Sequence, residues 1–163
     1  MADLWTIPKR YDHWVGLRSS MTREIERVMG DAPRVHRLYE GPDELSPWEA
    51  EILELPRRSR VYAREIALVT SGETAMLARS LTALDDPVAG VLRRLHRAPL
   101  AEVLFSDARW HRAAEPIPLR WRTASPRDGM FVGRACLWHR ERARGRVLVE
   151  EYFLPPLTAR RPA

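Results

Sequence analysis

Residues 61–81 constrain the fold more than any other stretch. In VYAREIALV apolar and polar side chains alternate. Ser71-Gly72 then offers a two-residue turn, and a second apolar run follows over 75–81. Two such runs around a Gly-containing turn form a β-hairpin, so the chain must build an antiparallel sheet. The strand also carries a charge where none is expected. Period-two alternation puts Arg64 on the same side as Tyr62, Ile66 and Leu68.

A second strand repeats the anomaly. In RVLVEEYFLP, Glu151 shares a face with Val147, Val149 and Phe153, while Glu150 points the other way. A lone ionised group in a core costs on the order of several kcal/mol unless it is paired and hydrogen-bonded. Two readings stay open from alternation alone. Arg64 and Glu151 satisfy each other as a structural ion pair, or they line a cavity made for a polar ligand.

Composition narrows the function classes. The chain of 163 residues is long enough for one domain with a real core, and its 45% hydrophobic content suits a water-exposed globular protein. Its formal net charge is +5, yet Lys9 is the sole lysine and the arginines run from Arg10 to Arg161 without gathering into a stripe. Nucleic acid is therefore not an expected partner. Cys136 is the only cysteine, which leaves no disulfide framework and no cysteine metal cluster. The opening residues lack the apolar core of a signal peptide, and no stretch has the roughly 18 apolar residues of a membrane span. The expected compartment is the cytoplasm.

Along the rest of the chain, Thr22 is the expected cap of a first helix, with Ile25, Val28 and Met29 on its buried side and Gly30 at its end. RVHRLYEG reads as a strand anchored by Val35 and Leu38, followed by a loop holding Pro42, Pro47 and Pro56. Asp86-Pro87 opens a helix with Val88, Val91, Leu92 and Leu95 inward and Arg93, Arg94 and Arg97 facing mostly solvent. Pro99-Leu100 breaks it, and AEVLF begins another. Strands are expected near 110–119, over 130–139 and over 147–154, with a turn at 143–145. Strands with helices inserted irregularly indicate an α+β fold, a mainly antiparallel sheet flanked by helices. The whole chain, 1–163, is one domain, with a frayed tail after about residue 156.

Several chemistries are unsupported. No glycine-rich phosphate loop occurs. His96, His111 and His139 lack metal spacing, and Ser19-Ser20 lacks a nucleophile-elbow context. Cys136 and His139, three apart on a strand, face opposite ways and make a poor nucleophilic pair.

What remains is an ordered set of segments: Ser20-Met21-Thr22, Arg64 in its strand, Ala78-Arg79-Ser80, Ala98-Pro99-Leu100 followed by Leu104-Phe105, Gly133-Arg134, and the closing Glu151-Tyr152-Phe153-Leu154-Pro155. In this order and spacing, from about residue 14 to 155, the chain resembles the chorismate pyruvate-lyase (4-hydroxybenzoate synthase) family. The resemblance implies a ligand enclosed beneath helical flaps. It also implies that Arg64 binds a ring carboxylate, that Glu151 faces a ring hydroxyl, and that Met21 and Leu100 contact the ligand through their backbones. It implies a lyase that splits chorismate into 4-hydroxybenzoate and pyruvate without cofactor or metal.

Departures from the pattern are specific. Ala101 stands where the family has glycine, which would strain the loop by about 1 kcal/mol if that backbone has positive φ. Ala135-Cys136 follows Arg134 where the family has a second arginine and then Ser or Tyr, and Ala83 stands roughly at a family proline. For the enolpyruvyl carboxylate the candidates are Arg134 and Arg79. Arg79 shares a face with Ala75, Leu77 and Leu81, a surface ion pair being its alternative role. Two rivals remain: a lyase using a modified chorismate or giving another aromatic acid, and a non-catalytic binder of aromatic carboxylates. A related fold serves as the effector domain of transcription regulators. Oligomeric state is left open by the sequence.

Overall fold

The computed structural model describes residues 6–122, 130–141, 145–160 and 162, with only the backbone of Trp121 and Arg122. The hairpin forms as expected from β2 (Arg60–Thr70) and β3 (Glu73–Ala83). Ser71 and Gly72 both take positive φ, 52° and 75°, as the tight turn demands. They sit within a seven-stranded antiparallel sheet with β1 (Arg34–Glu44), β7 (Arg146–Phe153), β6 (Met130–Arg140) and β4 (Trp110–Arg112), in the order β1-β2-β3-β7-β6-β4. The remaining strand, β5 (Ile117–Arg122), pairs with β6 beyond β4. The α+β architecture matches the sequence reading.

Helices cover both faces of the sheet. On one face α1 (Asp12–Val15), α2 (Met21–Met29) and α6 (Pro155–Thr158) bring Trp14, Ile25 and Leu157 against Leu68, Met76 and Phe153. Further along that face, α4 (Pro87–Arg94) and α5 (Leu100–Ser106) bury Leu92 and Leu104 with Trp138 and Val149. Across the sheet, α3 (Pro47–Leu53) sets Leu53 over Val61, Ala63, Leu81 and Leu148. Among the described residues no helix is long and apolar enough to cross a membrane.

Four expectations are corrected. The cap of α2 is Ser20, whose side chain accepts from the Arg23 N–H, and not Thr22, which lies inside the first turn. The expected loop after β1 contains α3, with Pro47 in its first turn and a Ser46–Glu49 capping box. Pro42 lies within β1 itself, tolerated because that strand is at the sheet edge. The start of the tail, Pro155–Thr158, forms α6 with Leu157 fully buried, and residues 161 and 163 lie outside the described residues. Of the turn expected at 143–145, residues 143 and 144 lie outside the described residues.

Gly133 sets the spacing of two central strands. It lies on β6 opposite Tyr152 on β7, and a Cβ there would be 2.1 Å from the Glu151 carbonyl oxygen. Only glycine lets the two strands approach where the next residue pair, Arg134 and Glu151, must meet.

Candidate active site

Pocket-side residues of β2, β3, β6 and β7, roofed by the N-terminal turns of α2 and α5, enclose a cavity of about 50 Å³. Met21, Arg64, Leu100, Arg134 and Glu151 all line it. Met21 and Leu100 are the first residues of α2 and α5. A helix's first-turn N–H groups lack intrahelical acceptors, so each residue brings such an N–H to the cavity lining.

Arg64 and Glu151 do not pair with each other. Arg64 is 1% exposed, and its Nη2 donates to the carbonyls of His96 and Ala98, at 3.1 and 3.0 Å, in the segment leading into α5. Its Nε is buried without a hydrogen-bond partner, and burial pulls its pKa below the usual arginine value. Glu151 instead accepts from Arg134 Nε at 2.7 Å. Burial opposes the Arg134 charge, but Glu151 outweighs it and holds the guanidinium above its ordinary pKa. Arg134 Nη1 also donates to the carbonyls of Val15 and Leu17, tying the segment before α2 to the sheet.

Arg79 is not in this cavity. Alternation grouped it correctly with Leu81, but that face is the one α3 covers. There Arg79 bonds Asp43 and Glu65, each at 2.7 Å, with Glu49 and Glu150 at 3.5 and 3.7 Å. Burial lowers its pKa, Asp43, Glu65 and Glu49 raise it, and the net shift is upward. The surface ion pair was the alternative the sequence left open, and here Arg79 is ion-paired at the α3 face.

The cavity contains a cation that sequence reading missed. Arg112, on the three-residue strand β4, lies over the Trp138 ring with its guanidinium carbon 5.1 Å from the ring centroid. Its Nη1 donates to the Leu17 carbonyl at 3.0 Å, while its Nε is buried and unpartnered. The available signal was the W-H-R alternation, which sends Arg112 the same way as the buried Trp110. Three guanidiniums and one carboxylate therefore line one cavity.

The departures noted in the sequence fall in different places. Ala101 is the second residue of α5 and is not among the positive-φ positions, so the expected strain is absent. Ala135 packs with Leu53, Leu81 and Leu148 on the α3 face, away from the cavity. Cys136 does line the cavity, and burial pushes its thiol up, which makes it a poor nucleophile. Among the described residues no group of His, Cys, Asp and Glu is placed to hold a metal ion.

The probable chorismate pyruvate-lyase of Marinobacter nauticus is 32% identical over 153 residues, covering 92% of this chain and 78% of its own. That of Bordetella pertussis is 31% identical over 158 residues, covering 88% and 80%. Among solved structures, the effector domain of PhnF from Mycobacterium smegmatis superposes with a TM-score of 0.56 at 12% identity, covering 87% of this chain and 90% of that one. The ligand-binding domain of a putative GntR-family transcriptional regulator from Bordetella bronchiseptica gives 0.53 at 15% identity, covering 76% and 83%. At such identities the likeness is one of fold. The family model for chorismate lyase matches residues 1–162, nearly the full length, and with that match the chain belongs to the chorismate lyase family of enzymes.

Proposed function

We propose that the protein splits chorismate into 4-hydroxybenzoate and pyruvate without cofactor or metal, in the cytoplasm. The observation that supports this best is the charge inside the cavity. Arg64, Arg112 and Arg134 against Glu151 leave two positive charges uncompensated, matching a substrate with two carboxylates.

In this reading Arg64 grips the ring carboxylate through its planar fork, and the N–H groups of Met21 and Leu100 fix the ligand from the helix ends. Glu151 accepts from the ring hydroxyl and orients the adjacent C–H bond. As that bond breaks, its electron pair enters the ring, the C–O bond to the enolpyruvyl group breaks, and the ring becomes aromatic. The proton released from that C–H bond ends on the methylene carbon of the departing enolpyruvate, which becomes pyruvate. Aromatisation drives the reaction, so the protein has only to hold a dianion in a dry site and assist one proton movement.

The test is incubation with chorismate, chromatography for 4-hydroxybenzoate and an independent assay of pyruvate. Equal amounts of both, above the spontaneous background, are expected. A different aromatic acid would overturn the product assigned. Binding of 4-hydroxybenzoate without turnover would make the protein a binder.

A further inference from the structure

The charge count leaves one question inside the cavity: which cation receives the second carboxylate. Arg134 already has an anionic partner in Glu151 at 2.7 Å, and Arg79 lies on the far face of the sheet. Two cavity cations have no carboxylate partner among the described residues, and each has a buried Nε without an acceptor: Arg64 and Arg112. They stand at opposite flanks. In the order β2-β3-β7-β6-β4 their strands are four steps apart, about 19 Å at the usual strand spacing, and both side chains reach inward from there. Glu151 is on β7, midway between them.

We infer that Arg112, held over the face of Trp138, binds the carboxylate of the departing three-carbon group and thereby makes the site selective for dianions. This deepens the lyase reading and rests on it. With Arg64 at the ring carboxylate and Glu151 at the ring hydroxyl, the remaining anionic group falls toward β4. The Trp138 ring holds the guanidinium carbon 5.1 Å from its centroid, and the Leu17 carbonyl accepts from one of its nitrogens. A pre-oriented fork loses little freedom when it receives a carboxylate.

Two inert probes separate the roles. The first is 3-(1-carboxyvinyloxy)benzoate, an aromatic dianion with nothing to gain from elimination. The second is 4-hydroxybenzoate, with one carboxylate. By calorimetry, Arg112→Gln is expected to weaken the dianion about tenfold or more and to leave 4-hydroxybenzoate within about threefold. The chorismate KM should rise by a similar factor. Arg112→Lys keeps the cation without the fork; it should fall between, and it serves if the glutamine variant does not fold. Equal weakening of both probes, or of neither, would overturn the assignment. If the parent does not turn over chorismate yet loses its dianion preference with Arg112, the lyase reading falls, and Arg112 keeps only the role of anchoring the second carboxylate of a bound dianion. If the parent turns over chorismate and Arg112→Gln keeps its KM, the reverse holds. A parent that neither turns over chorismate nor binds either probe overturns both.

Discussion

In the proposed reading Arg64 does two jobs with one guanidinium, and this sets what a substitution will do. Its Nη2 holds the carbonyls of His96 and Ala98, where the chain passes through a left-handed residue, His96 at φ 51°, on its way into α5. Arg64→Lys keeps the charge but cannot serve carbonyls and ligand together. We expect a folded protein whose affinity for 4-hydroxybenzoate is about tenfold weaker by calorimetry; unchanged affinity would argue against two-point recognition. Glu151→Gln should lower kcat by about 10²-fold or more, measured per folded molecule because Arg134 loses its buried partner. On the far face Glu150 is 3% exposed, and burial, reinforced by neighbouring Glu49, raises its pKa to about 9. A carboxyl that holds its proton more tightly when folded stabilises the fold at low pH, and this is lost as pH rises from about 4.5 toward 9. The loss should be on the order of 1 kcal/mol per pH unit. Glu150→Gln should flatten the fall in Tm between pH 6 and 9; parallel curves would exclude this origin. Of these residues, Arg64 and Glu151 were legible because each interrupts an apolar alternation. Arg79 was misplaced because alternation reports which residues share a face, and here both faces are covered.

The elements were readable where punctuation and period agreed. The hairpin, α4 and α5 match their turn and cap residues closely. The segment after β1 misled because three prolines suggested a loop, whereas Pro42 sits on a strand edge and Pro47 in a helix's first turn behind Ser46. The capping pair Ser46 and Glu49 was the signal that could have shown α3. Arg112 escaped because its alternation with Trp110 spans only three residues, too few to stand out beside the longer apolar runs. Between elements, the β6–β7 contact depends on Gly133. Its missing Cβ would meet backbone, which cannot rotate away, so Gly133→Ala should cost about 3 kcal/mol or more in urea unfolding. The fraction that folds should show reduced turnover, since the displaced backbone carries Glu151. A neutral effect would mean that the strands separate freely.

Across the whole molecule, distant parts of the chain close over one face of the sheet. Leu157 of α6 joins Trp14, Ile25 and Phe153 in a single apolar cluster. Leu157→Ala should therefore cost about 2–5 kcal/mol and lower Tm, while the folded protein keeps its affinity for 4-hydroxybenzoate. Lost affinity at temperatures well below Tm would instead couple α6 to the site. A cavity of about 50 Å³ holds a few waters, less room than a six-membered ring with two carboxylates fills. The Leu17 carbonyl accepts from both Arg112 and Arg134, which makes the link between α1 and α2 a gauge of the cavity's contents. A ligand that draws either guanidinium toward itself loosens that link. The state of the pocket should then be audible from outside it, as a change in amide exchange at Arg18, Ser19 and Ser20, residues with no part in the chemistry.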